Sequence, residues 1–528
     1  RATSLRPAPR APSPAPPAGD TPDPIADALS RQGEPVLVFH RHLEALSNPY
    51  FQGRAPGTPG IERAADYIED ALRRIGLRPA FPPAVEGGSP SYRQGLHWLA
   101  DPELRGRELS ITRGGTTDIL LPDTHFTVHG ASGSGAFSGP VVFAGFSIDH
   151  PGTDYTTYHE GASLAGKAAL ILRYEPLTPD GRSRLTEDGA WSRASAVRRK
   201  IAAAVERGAE AVLLVTPPTP AATDPPLPTF EQTAAWSGVD VPVFQLAPGQ
   251  ADALLRAGDP SGEGRGLADF VRLAGTSGGL VPLRNVSVSL RAEIARTPTN
   301  TENVAALLPG AGPLAGEVVV IGAHYDHIGL GRYGSRTPWA RGQVHPGADD
   351  NASGVAGVLL AAELLKRRYD RMGDQPRRSI VFALFTAEEA GLRGSRRYLE
   401  SPPAPIEAHQ LMVNLDMIGR LRGQTVEIDG FESSPDLRAL IDEHTAAAGL
   451  AWRPATIGRR RSDHASFHDA GVPNVFFFTG MHDDYHAVTD TPEKIRRVGA
   501  VSVVGAAIDL ALDAATRERR LPFAAPEP

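Results

Sequence analysis

The 528-residue chain contains no cysteine, which excludes disulfides and thiolate metal sites and leaves only nitrogen and oxygen ligands for any bound metal. Lysine is nearly absent, occurring only at 167, 200, 366 and 494, so positive charge comes almost wholly from arginine. With abundant Ala, Gly and Pro this reflects GC-rich coding and carries no chemistry. Excess charge of one sign is also missing: 54 basic against 61 acidic residues give a formal net charge of -7, no footprint for nucleic acid or anionic lipid. The longest apolar runs, such as 472–478 broken by Pro473, fall short of the roughly 18 to 20 residues that span a bilayer, so no membrane span is expected.

What is present is an ordinary globular composition, with 41% hydrophobic and 22% charged residues. At about 100 to 200 residues per domain, the length allows two to four domains. The chain opens on Arg1 rather than Met and is Pro/Ala-rich to about Asp23, which reads as a mature chain whose signal peptide has been removed, secreted or periplasmic. The texture divides the chain into a Pro/Ala-rich tail over 1–33, a segment with two helices over 34–100 that forms the N-terminal part of the main domain, a β-rich insertion over 101–284, a strand-then-helix region over 285–520 that forms its main part and a tail over 521–528. Helices are expected at 35–46 and 60–75, the second with Ile61, Ala64, Ala65, Ile68, Ala71 and Leu72 on one face and Gly76 as its stop. The insertion has short strands at 141–146, 168–173, 211–215 and 241–246 and one helix at 195–207. Beyond 285, strands at 318–322, 379–385, 411–416 and 475–478 alternate with helices at 352–368, 393–400, 437–448 and 492–519. That alternation predicts an α/β fold, a mostly parallel mixed sheet flanked by helices.

In open α/β sheets functional groups collect beyond the carboxyl ends of the strands. Here those positions hold His324, Tyr325, Asp326 and His327, then Glu388 and Glu389, then Asp416, then Asp484, Tyr485 and His486, while Asp349 and Asp350 precede the helix at 352. Taken singly, Asp350 or Asn351 could cap a helix, Thr386 with Glu389 fits a capping box, and a lone histidine is usually a packing residue. One two-metal site accounts for all of them and for their common location. Asp326, two residues from His324, can accept the imidazole's other N–H and fix its tautomer. Of Glu388 and Glu389, one can bind metal while the other takes a proton.

The motifs GAHYDHIG (322–329), GADDNASG (347–354), TAEEAGLRGS (386–395), NLDMIG (414–419) and YHAVTDT (485–491) resemble, in order, those of the co-catalytic di-zinc aminopeptidases of the bacterial leucyl-aminopeptidase type, relatives of glutamate carboxypeptidase II, glutaminyl cyclase and the transferrin receptor. RAPGTPG (54–60) resembles the family's N-terminal segment. The resemblance implies a zinc exopeptidase fold, two zinc ions per chain and peptides or protein N-termini as substrates. It further implies Asp350 as the bridging ligand, His324 and Asp416 completing one site, Glu389 and His486 the other, Glu388 as general base, Tyr485 as a hydrogen-bond donor to the tetrahedral intermediate, and a cis peptide at Asp350-Asn351. Segments 139–145, 164–167 and 198–215 resemble a protease-associated domain, which implies a wall or lid over the active rim.

Four rivals share parts of this pattern. Gly275-Thr276-Ser277-Gly278-Gly279 fits the serine-hydrolase pattern G-x-S-x-G, but a nucleophile elbow needs a strand before it and a helix after, and a strand-like 286–290 follows. Arg459, Arg460 and Arg461 offer a contact for a substrate carboxylate, as carboxypeptidase action requires, and Ser462-Asp463-His464 resembles a family pocket segment. A receptor-like binding protein would have lost its ligands, and a cyclase shares much of the site.

Overall fold

The computed structural model describes residues 32–524 except 84–86, 149–154, 179–181, 187–191, 219–224, 234–237 and 457–460. The Pro/Ala-rich stretch on which the expectation of export rests, the last four residues, and Arg459 and Arg460 lie outside the described residues. Helices α1 (Glu34–Leu46) and α2 (Pro59–Ile75) form where the apolar periodicity places them. In α2, Ile61, Ala64, Ala65, Ile68 and Leu72 are buried along one face, and Gly76 ends the helix in the left-handed conformation at φ 83°.

Two strands are far longer than the sequence suggests. β1 (Arg93–Arg113) and β2 (Val281–Leu308) form an antiparallel ribbon from Arg93 opposite Val304 to Arg113 opposite Val286, so the expected boundaries at 100/101 and 284/285 both fall inside continuous strands. Pro102 and the alternating charges around it conceal β1 in the sequence. The ribbon shifts register between Ala100 and Pro102, where proline has no N–H for the ladder.

The strands that carry the candidate site lie in the same sheet. β3 (Val318–His324) is flanked by β4 (Ser379–Phe385) and β5 (His409–Leu415), with β6 (Asn474–Phe478) beyond β5, all parallel. Every residue of these four strands is buried, because helices cover both faces; that is why their sequences are dominated by apolar residues rather than alternating. β2 closes the other side of β4 antiparallel, giving the mixed sheet. Helices α3 (Gly354–Arg371) and α4 (Arg497–Thr516) pack on this sheet. By length and composition α4 is apolar enough to cross a membrane, although Ser502, Asp509 and Asp513 interrupt its apolar surface. It is a core helix here: Val503, Val504, Leu510 and Ala511 are buried against the central cluster and Asp509 pairs with Arg368 of α3 at 2.5 Å.

On the far side of β2 the sheet continues through Gly135–Phe143, Ala168–Leu172, Ala211–Val215 and Val243–Leu246, parallel to one another. This region has apolar clusters separate from the central one, around Phe126, Phe143, Phe244 and Phe270 on one face and Ile171, Ile201 and Leu214 on the other. Ser277 is the last residue of a helix, Leu267–Ser277, followed by β2, the reverse of the strand-then-helix context of a nucleophile elbow.

Candidate metal centre

The rim at the carboxyl ends of the parallel strands brings together all five residues expected to bind metal. β3 delivers His324, β5 delivers Asp416 immediately beyond Leu415, the turn after β4 delivers Glu389, the loop after β6 delivers His486, and the turn into α3 delivers Asp350. They fall into two groups that share Asp350. His324 Nε2 lies 3.3 Å from Asp350 Oδ1 and 3.3 Å from Asp416 Oδ1. His486 Nε2 lies 3.2 Å from Asp350 Oδ2 and 3.0 Å from Glu389 Oε2. The peptide Asp350-Asn351 is cis.

The turn after β4 does not act as a capping box, since the next helix begins only at Arg393. Asn351 does act as a local cap: its Oδ1 accepts from the N–H of Gly354 at 2.9 Å and of Met417 at 3.2 Å. Asp349 is fully committed to the fold, accepting from Gly419 N–H at 2.6 Å and lying 3.0 Å from His482 Nε2. That leaves Asp350 as the aspartate whose oxygens face two histidines.

The hydrogen bonding around the two histidines shows what the rim is built to hold. His324 Nδ1 faces the carbonyl of Asp326 at 3.2 Å, and His486 Nδ1 faces the carbonyl of Gly334 at 3.0 Å. A carbonyl only accepts, so each Nδ1 carries the proton and each neutral ring turns an Nε2 lone pair towards carboxylate oxygens. Lone pair against carboxylate is repulsive unless a cation lies between them. Asp416 Oδ1 and His486 Nε2, which point into the two groups, are buried with no hydrogen-bond partner, as suits ligand atoms that an ion would satisfy. Nitrogen and oxygen donors in this combination suit zinc.

Without an ion, protons take its place. Burial opposes charge on His324, but Asp416, Asp326 and Asp350 raise its pKa well above the ordinary imidazole value; for His486, Glu389 and Asp350 do the same against burial. Metal binding must therefore displace protons.

Asp326 differs in detail from the expectation. Its carboxylate lies 3.7 Å from His324 Nδ1, farther than its own carbonyl, and instead accepts from the backbone N–H of Glu388 at 3.1 Å and Glu389 at 3.3 Å. It thereby fixes the turn that presents both glutamates. Glu388 and Tyr485 line a cavity of about 310 Å³ above the two groups, and the Tyr485 ring stacks on His486 with centroids 3.9 Å apart. Burial pushes the Glu388 carboxyl well above its ordinary pKa against the pull of His324, with Glu389, Asp463 and Asp416 adding to the rise. Against burial, His486 and His327 hold Glu389 down at about 2.

Three residues have roles that the sequence does not assign to them individually. His327 Nδ1 lies 2.9 Å from Glu389 Oε1, leaving Oε2 to face His486. Asp490 accepts from the backbone N–H groups of Asp349 and Asp350 at 2.9 and 3.1 Å and holds Arg420 at 3.1 Å. Arg54 is fully buried and donates to the carbonyls of Tyr325, Pro346 and Gly347 at 2.8 to 2.9 Å, tying together the segments that carry His324 and Asp350. All three lie inside the quoted motifs, which is the one signal that pointed to them. Asp463 is buried with both oxygens unpartnered, and burial raises it to about 7.

Residues 303–510 match peptidase family M28. The matched segment contains every residue of both groups. A probable leucine aminopeptidase of Arthroderma otae is 29% identical over 219 residues, covering 40% of this chain and 57% of that protein. Leupeptin-inactivating enzyme 1 of Streptomyces exfoliatus is 32% identical over 202 residues, covering 38% of this chain and 40% of that protein. The chain thus spans about half the length of these relatives. Among solved structures, an aminopeptidase from Aneurinibacillus sp. strain AM-1 superposes with a TM-score of 0.55 at 19% identity, over 95% of this chain and 98% of that one. That likeness extends the shared fold beyond residues 303–510 to nearly the whole chain.

Proposed function

We propose that the chain is a metal-dependent aminopeptidase that holds two zinc ions, one through His324, Asp350 and Asp416 and the other through His486, Glu389 and Asp350. The observation that carries this reading is the Asp350 carboxylate, whose two oxygens face two different histidines at 3.3 and 3.2 Å. When bound, a pair of divalent ions supplies Lewis acidity for the scissile carbonyl and lowers the pKa of water towards neutrality. Glu388 takes the proton from the attacking water and passes it to the leaving amine, a role suited to a carboxyl whose pKa is raised towards the working range. Tyr485, on the cavity wall, donates its O–H to the oxyanion. The substrate's cationic amino terminus meets the carboxylates of Glu389 and Asp416. Asp326 and His327 orient these groups without touching substrate.

We read the β1–β2 ribbon, with the strand-rich region it carries, as a wall beside the mouth. In support, Leu96 and Trp98 of β1 pack against Ile328 and Ala387, next to the metal-bearing turns, and Thr301 of β2 meets Thr386 at 2.6 Å. The resemblance to a protease-associated domain accords with that place, and a wall there favours short peptides or exposed termini.

Metal analysis of the purified protein, combined with hydrolysis of aminoacyl-anilides and N-blocked controls before and after chelation, tests the main reading. About two zinc per chain and chelator-sensitive cleavage of free-amino substrates alone are expected. Equal cleavage of blocked substrates, or cleavage that survives complete metal removal, would refute it.

A further inference from the structure

The cavity above the metal centre has a composition that the peptidase reading does not by itself explain. Its floor is carboxylate and imidazole, and one wall is Met417, Phe476, Phe478 and Met481. Among its lining residues one side chain is permanently cationic, Arg461. An arginine here does nothing for the cationic amino terminus of a peptide, and no carboxylate among the described residues forms an ion pair with it.

We propose that Arg461 is a specificity-determining residue that pairs with a carboxylate carried by the substrate itself; this rests on the aminopeptidase reading. Arg461 is exposed, but its position is set by buried neighbours. Ser462 Oγ accepts from Asn414 Nδ2 at 2.8 Å, at the end of β5. His464 lies 3.2 Å from Asp429 Oδ2 and stacks on Phe476 with centroids 4.7 Å apart, so the segment bearing Arg461 is pinned to the apolar wall of the cavity. A guanidinium at such a rim presents forked donors that match a carboxylate. A substrate then meets carboxylates and metal at its reacting end, methylene-compatible wall beside it, and a cation at the edge. Two carboxylates fit this order: the side chain of an N-terminal acidic residue, whose methylenes run along the wall, or the free carboxyl terminus of a dipeptide. Simple aliphatic N-terminal residues use the wall but leave the arginine idle.

The test measures kcat/KM of the zinc-loaded enzyme for two matched pairs, glutamyl- against glutaminyl-anilide and leucyl-leucine against leucyl-leucine amide, in the natural protein and in Arg461→Ala and Arg461→Lys. The acid-to-amide ratio should fall by about fivefold or more in Arg461→Ala for one of the pairs, as expected for a partly desolvated charge-assisted contact, and be largely kept in Arg461→Lys. The pair that responds identifies which carboxylate is bound. Ratios unchanged by Arg461→Ala in both pairs would overturn the proposal while leaving the aminopeptidase reading intact. Failure of the zinc-loaded natural protein to cleave any free-amino substrate would overturn both.

Discussion

Buried charge is handled in opposite ways in the strand-rich region and at the rim of the parallel strands. In the former, Lys200 is fully buried and donates to the carbonyl of Phe146 at 2.6 Å, while Glu175, also fully buried, accepts from the backbone N–H of Ser192 at 2.8 Å. Each charge ends on a neutral partner and the cluster is closed. At the rim, the carboxylates Asp350, Glu389 and Asp416 crowd around His324 and His486, and Asp416 Oδ1 and His486 Nε2 have no hydrogen-bond partner in the protein. An isolated buried charge is tolerable when hydrogen-bonded, at the cost of a shifted pKa; a cluster of unpaired acceptors needs a cation to complete it. The difference separates a structural charge from a functional one without reference to any motif.

The contrast is broken most severely at Glu388, which lines the cavity and, in the mechanism proposed above, is the reactant while its neighbour is a ligand. Glu388→Gln should retain the full metal content yet lower kcat by about 10²- to 10⁴-fold, the usual worth of a positioned general base. Activity within a few-fold of the natural protein, with metal in place, would take Glu388 out of the mechanism. A smaller effect is expected at His327, which holds one oxygen of Glu389. His327→Ala should weaken binding at the Glu389–His486 site by about 10- to 100-fold, the range seen when a ligand loses its orienting partner. Competition with a chelator of known affinity measures this directly, and an unchanged affinity would mean that Glu389 needs no such support.

Much of this rim is legible in the sequence because its chemistry sits at strand ends. His324, Asp416 and Glu389 follow apolar runs that must be buried parallel strands, so their position at the carboxyl rim follows from topology. The family resemblance points to Asp350 rather than Asp349, and the structure supplies the physical reason: Asp349 spends its oxygens on Gly419 and His482. What the sequence conceals are contacts between distant segments. Arg54 reaches across nearly 300 positions to the carbonyls of Pro346 and Gly347, and no local pattern announces that an arginine will be buried against backbone. β1 is hidden for another reason: a ribbon stabilised by cross-strand pairing with β2 tolerates charge and proline that an isolated strand pattern does not display.

The smallest effect expected concerns Lys200, the counterpart to the rim. Burial lowers its pKa to about 7, with Glu175 acting against the shift. In the unfolded chain the amine titrates near 10.4. Below pH 7 both states carry the proton, and the folded state bears the cost of a buried ammonium. Between pH 7 and about 10 the unfolded state binds more protons than the folded one, so this residue's contribution makes stability rise with pH through that window. Lys200→Met removes the titration but leaves the Phe146 carbonyl unpaired at every pH. The stability of Lys200→Met relative to the natural protein should therefore decline from pH 7 to pH 9, by about 2 kcal/mol, readable as a shift in the difference between their unfolding midpoints. A difference that is the same at both pH values would show that Lys200 stays charged inside the fold. It would then be a fixed cation with an ionised partner, and the distinction between a charge closed on neutral groups and a cluster awaiting an ion would fail in the region where it is simplest.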